Sequence, residues 1–111
     1  MQEINEQQAL ALMTFEHAGC AVFLYTPLCG TCMAARKMLE VLYAMDDQLP
    51  LYTCNMNLAP ELAKVWKIES VPCIVVLKQG RIVEKIYAMG SVPALYERFV
   101  NHGLMKAGTQ A

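Results

Sequence analysis

Apolar positions along this chain recur with two different periods, and the order in which the periods alternate predicts an α/β protein. Ile4 to Glu16 carries Ile4, Ala9, Leu12, Met13 and Phe15 among Glu and Gln, with Asn5 placed to cap a first amphipathic helix and Gly19 to close it. Cys20 to Tyr25 is a continuous apolar run, the pattern of a strand covered on both faces. Met33, Ala34, Met38, Leu39, Val41, Leu42 and Met45 then return at helical spacing, with Arg36, Lys37 and Glu40 assigned to the opposite side, and this second helix is expected to stop near Asp46-Asp47. Leu51 to Met56 alternates as a strand, and Pro60 opens a short helix through Trp66. Ile74 to Leu77 and Ile82 to Tyr87 flank the turn Lys78-Gln79-Gly80-Arg81 and form a hairpin. Pro93 starts a last helix with Leu95, Tyr96, Phe99 and Val100 facing inward, ending near Gly103. The order is helix, strand, helix, strand, helix, hairpin, helix. Right-handed crossovers make the first two strands parallel and put helices on both faces of a mixed sheet of about four strands.

Between the first strand and the second helix lies Thr26-Pro27-Leu28-Cys29-Gly30-Thr31-Cys32. A strand that ends in Cys-x-x-Cys and reopens as a helix sets the first sulfur beside unpaired backbone N–H groups and the positive end of the helix dipole, and both favour thiolate. That arrangement suits a thiol–disulfide redox site.

Composition narrows the alternatives. The 111 residues suit one domain, residues 1–111, with 105–111 as a frayed tail, and a hydrophobic fraction of 56% against 17% charged excludes a disordered chain. A formal net charge of −1, without a run of like charges, offers no basic face for nucleic acid. Met1 to Glu6 is polar and acidic, unlike a secretory signal, and no apolar run approaches the ~18 residues that cross a bilayer. The expectation is a cytoplasmic, soluble monomer without a membrane partner. Five cysteines, Cys20, Cys29, Cys32, Cys54 and Cys73, are an odd number, so a framework of structural disulfides is the wrong default for a reducing compartment.

With Cys29-Gly30-Thr31-Cys32 in its strand–helix setting, Ser70-Val71-Pro72-Cys73 before the next apolar strand, and the Gly80 turn eight residues after that proline, the chain resembles the thioredoxin family. The resemblance implies the thioredoxin-like fold, a cis peptide at Val71-Pro72 packed against the dithiol, and an incoming substrate strand bound by the main chain there, with Leu28, Val71 and Pro72 as substrate contacts. It implies no cofactor beyond a redox-active Cys29–Cys32 disulfide. Its partners would be a disulfide-containing protein or low-molecular-weight disulfide as substrate, and a reductase or a thiol as electron donor. A role in cell redox homeostasis follows. Four departures accompany it: Leu28 stands where the family usually has Trp, Thr31 where it has Pro, Phe23 where it has a buried Asp, and Thr53 where it has Lys. The N-terminal strand of full-length thioredoxins has no counterpart in the hydrophobic pattern and is expected to be absent.

In this reading Cys29 is the attacking thiolate, Cys32 the resolving thiol, and Gly30 and Thr31 position them. With Phe23 replacing the acid, no base stands ready to take the Cys32 proton, so turnover should be slow near neutral pH and rise with pH. The Thr31 hydroxyl and N–H should stabilise the Cys29 thiolate and make the couple more oxidising. Cys73 is a candidate redox modulator or third thiolate of a metal site, against the plainer role of a small strand residue. Cys20 and Cys54 read as core, Trp66 as packing, and Met13, Met33, Met38, Met45 and Met56 as gap-filling core residues. His17 and His102 read as helix-end residues, and no metal is expected. Two other functions remain: a slow or non-catalytic redox-sensing or adaptor domain that binds a partner strand beside Pro72, and a metal- or iron–sulfur-binding dimer formed through the cysteines.

Overall fold

The computed structural model of the chain describes residues 1–14 and 18–108. Five strands and four helices follow in the order β1 (Gln2–Glu3), α1 (Glu6–Ala11), β2 (Cys20–Tyr25), α2 (Gly30–Met45), β3 (Leu51–Asn55), α3 (Pro60–Val65), β4 (Cys73–Lys78), β5 (Arg81–Ile86) and α4 (Val92–Asn101), with a 3₁₀ turn at Met56–Leu58. The sheet order is β1-β3-β2-β4-β5. β1, β3 and β2 run parallel, and β4 and β5 run antiparallel to their neighbours.

The sheet therefore has five strands rather than about four, and the N-terminal strand expected to be missing is present. Gln2 and Glu3 pair with Tyr52 and Thr53 on β3. Both residues are polar and exposed, so this edge strand leaves no alternating apolar signature; it is held by backbone pairing and by Glu3, whose carboxylate accepts from the Tyr25 hydroxyl at 2.9 Å and the Thr53 hydroxyl at 2.5 Å.

Alternation along β2 and β4 divides the core into two layers. Ala21, Phe23, Ile74 and Val76 join Leu39, Leu42, Leu95 and Phe99 on the face covered by α2 and α4. Cys20, Val22, Leu24, Cys73, Val75 and Leu77 join Ala9, Leu62 and Trp66 on the face covered by α1 and α3. β2 is buried on both sides, which its unbroken apolar run required.

Local chemistry sets most boundaries. Asn5 caps α1 through a reciprocal box with Gln8, both bonds at 2.8 Å. α1 is shorter than its pattern: it ends at Ala11 with Leu12 as C-cap, so Gly19 does not close it. Ser91 caps α4, donated to by the Ala94 N–H at 3.1 Å, and Pro93 sits in the first turn where no N–H is needed. The far end of α4 is a Schellman motif: the Leu104 N–H reaches the Phe99 carbonyl, the Gly103 N–H reaches that of Val100, and Gly103 has φ +75°. This motif folds Leu104 and Met105 into the core, so Met105 belongs to the packed body and not to a frayed tail. In the hairpin turn Gln79 and Gly80 both take positive φ, and a Cβ at Gly80 would lie 2.4 Å from the Met13 carbonyl oxygen.

The methionines depart from expectation. Met13, Met33 and Met45 are exposed, while Met38 and Met56 pack on the core margins. An unbranched apolar residue at the border of a helical stripe satisfies the pattern whether it turns in or out. Trp66 is buried, with its indole N–H on the Met13 sulfur at 3.2 Å. His102 caps the end of α4, and His17 lies outside the described residues.

Candidate functional site

The cysteine motif occupies the break between β2 and α2. β2 delivers the chain to Tyr25 at the carboxyl end of a central strand, and Cys29 is the N-cap of the 16-residue helix α2. Cys29 stands in extended conformation with its sulfur in the place of a capping oxygen, and the Cys32 N–H donates to it at 3.2 Å. The Thr31 hydroxyl lies 3.3 Å from the same sulfur. Neither thiol is in a disulfide.

These contacts separate the two thiols. The Cys29 pKa is lowered, first by the hydrogen bond from the Cys32 side chain, then by that from Thr31, with the backbone N–H groups of both adding to the effect. Cys32 is pushed up to about 11, chiefly by burial and then by its hydrogen bond to Cys29, while the Thr26 backbone and the Arg36 charge act the other way. A half-buried thiol that ionises readily beside a buried one that resists ionisation suits a nucleophile and a resolving partner.

The register places the proline segment beside the motif. Cys73, the first residue of β4, pairs with Leu24, so Pro72 lies level with the end of β2 from which the motif departs. The Val71–Pro72 peptide is cis, and Val71 and Cys29 both pack against the core layer that contains Cys32. The loop ahead of it is gripped from β5 and its continuation: Lys85 donates to the Lys67 carbonyl at 3.1 Å, and the Glu69 N–H donates to the Tyr87 hydroxyl at 3.1 Å. Leu28 is fully exposed next to Cys29, Met33 is exposed on the first turn of α2, and a Cβ at Gly30 would meet nothing within 4 Å. The surface around the sulfur combines the exposed apolar side chains of Leu28 and Met33 with the Thr31 hydroxyl.

Cys73 is not part of this surface. It is completely buried on the opposite side of the sheet from Cys32, and burial pushes its thiol up to about 11, with Tyr87 and Lys85 acting the other way. Strand alternation is the reason: Ile74, not Cys73, faces the dithiol layer. Contrary to the reading of Cys73 as a redox modulator or third thiolate beside the dithiol, its side chain faces the opposite layer. Cys20 and Cys54 are buried in the same opposite layer, each likewise raised to about 11 by burial. Cys54 and Cys73 both pair with Leu24 from either side, two strand spacings or about 10 Å apart, too far for a disulfide. Among the described residues no group of three His, Cys, Asp or Glu side chains converges on a metal-sized site.

Phe23 and Thr53 are both buried. Arg36 departs from the polar face that Lys37 and Glu40 occupy. Instead of standing in solvent, its guanidinium lies 4.8 Å from the Tyr25 ring centroid and 5.6 Å from that of Phe23, and the two rings stack at 5.8 Å. Its spacing of four from Cys32 was the available signal.

A family model described as Thioredoxin matches residues 3–99. The thioredoxin-like protein YusE of Bacillus subtilis is 43% identical over 97 residues, covering 87% of this chain and 89% of that protein. Thioredoxin of the same organism is 30% identical over 96 residues, covering 86% and 91%. Among solved structures, thioredoxin f2 of Chlamydomonas reinhardtii superposes with a TM-score of 0.81 over 96% of this chain and 99% of its own at 17% identity, a likeness of fold.

Proposed function

The chain belongs to the thioredoxin family, and from that premise we propose that it is a thiol–disulfide oxidoreductase working through Cys29 and Cys32. The observation that carries the reading is the asymmetry of the two thiols at the N-terminus of α2, one lowered and open, the other raised and enclosed. Cys29 thiolate attacks a substrate disulfide, forms a mixed disulfide and expels one substrate thiolate. Cys32, after losing its proton to solvent, attacks the Cys29 sulfur, expels the second thiolate and leaves a Cys29–Cys32 disulfide. Two electrons pass from the dithiol to the substrate, and a reductase or a small thiol returns them.

Each residue of the expected site has a role in this reading. Thr31 stabilises the Cys29 thiolate through its hydroxyl, and Gly30 leaves the approach to the sulfur open. Leu28, Val71 and Pro72 form the contact surface for a substrate strand whose apolar side chains lie against Leu28. The substrate is a protein or low-molecular-weight disulfide, the protein acts as a monomer in the cytoplasm, and the activity serves redox homeostasis.

Trapping with Cys32→Ser tests the proposal. Mixed disulfides through Cys29 should accumulate in cell extract and disappear in the Cys29→Ser, Cys32→Ser double variant. An empty trap, with partners retained after both cysteines are replaced, would instead establish the adaptor reading.

A further inference from the structure

We propose that Arg36 is a positioning residue for the second half of the reaction: a positive charge, pinned on the faces of Tyr25 and Phe23, that favours the thiolate of Cys32 as it attacks the mixed disulfide. The inference rests on the dithiol reading above and deepens it.

Three observations carry it. Arg36 follows Cys32 by four residues on α2, so the two side chains are neighbours on one helix face, with Cβ atoms about 6 Å apart. Its guanidinium is held over two stacked rings, 4.8 Å and 5.6 Å from their centroids, which turns it from solvent toward the sheet. One of those rings, Phe23, belongs to the same buried cluster as Cys32, so the charge lies at the margin of the low-dielectric region in which the thiolate must form.

One acidic group, Glu3, acts on the same Tyr25 with the opposite sign to Arg36. β1 contributes Glu3, whose carboxylate is engaged by Tyr25 and Thr53, and α2 contributes the Cys29 thiol and the exposed Lys37 and Glu40. β2 presents Ala21 and Phe23 to this layer, β4 presents Ile74 and Val76, and α4 presents Leu95 and Phe99, all uncharged. Burial and Cys29 disfavour Cys32 ionisation, while the Thr26 backbone and Arg36 favour it. Once Cys29 is in a mixed disulfide its own opposing charge is gone, and the Arg36 charge then bears on Cys32 without it.

Reaction with excess 5,5′-dithiobis(2-nitrobenzoate) separates the steps. Cys29 attack releases one coloured thiolate, and Cys32 attack on the resulting mixed disulfide releases a second; the remaining cysteines are buried. In Arg36→Met the second release should slow about five-fold near pH 8 and its pH profile move up by about 0.7 unit, a tenfold rate corresponding to one unit. The first release should stay within about two-fold, and Arg36→Lys should restore most of the lost rate because the charge remains. Raising salt to about 0.5 M should slow the second step of the parent protein toward the Met variant. An unchanged second step in Arg36→Met overturns the proposal, as does an Arg36→Lys variant as slow as Met. If the parent protein releases no second thiolate, the dithiol mechanism itself fails and this inference with it.

Discussion

Replacing Phe23 by Asp puts a carboxylate into the core layer that holds Cys32, and its effects on stability and on catalysis run in opposite directions. Phe23 is fully buried, stacks on Tyr25 and lies under the Arg36 guanidinium. Truncating a buried Phe costs about 3–5 kcal/mol. The desolvated carboxylate adds to that cost, and pairing with Arg36 offsets part of the addition. A net loss of at least about 4 kcal/mol is expected, which for a chain of this length lowers Tm by about 15 °C or more. The catalytic effect concerns the Cys32 proton. With the thiol raised to about 11, mainly by burial, its thiolate fraction grows about tenfold per pH unit across the neutral range. Formation of the mixed disulfide removes the two contributions of Cys29, but burial persists. The parent protein should therefore reduce insulin disulfides slowly near pH 6 and ever faster toward pH 9, with a slope near one in log rate whenever resolution limits turnover. In Phe23→Asp the introduced carboxylate accepts the proton, and the slope should fall well below one above its own pKa. Denaturant titration and insulin-reduction rates measured on the same samples check both halves. A flat parent profile from pH 6 to 9, or an unchanged slope in a variant that remains folded, would refute the reasoning.

Three further outcomes follow from named contacts. Thr31→Val removes the hydroxyl 3.3 Å from the Cys29 sulfur and should raise the Cys29 pKa and lower the reduction potential of the couple, read from thiolate absorbance at 240 nm and glutathione equilibration. Cys20, Cys32, Cys54 and Cys73 are all raised to about 11 from an ordinary 9.0, so the native state keeps protons that the unfolded chain releases. The stability these four thiols contribute should be level below pH 9 and fall from there to pH 11, and Cys73→Ala should make that fall shallower in denaturant titrations. Gly80→Ala forces a Cβ at φ +78° to within 2.4 Å of the Met13 carbonyl oxygen, and should cost at least about 2 kcal/mol by chemical denaturation without changing the Cys29 pKa.

Much of this molecule is determined by local sequence. The unbroken apolar run from Cys20 to Tyr25 can be satisfied only by a strand covered on both faces, Pro60 and Pro93 open helices because they lack the N–H that a first turn does not use, and Cys-x-x-Cys between strand and helix specifies a capped sulfur whatever surrounds it. Tertiary structure decided the rest. The strand at Gln2–Glu3 exists through pairing with β3 and has no pattern of its own. Cys73 faces away from the dithiol because strand alternation, not distance along the chain from Pro72, sets the direction of a side chain. Arg36 reads as a solvent residue on a helical wheel, yet two aromatic rings, one of them at the position of the missing acid, draw its charge to the edge of the buried layer. Periodicity assigns a residue to a face, but whether a long charged side chain on that face's border turns outward or back depends on what the neighbouring strand presents to it.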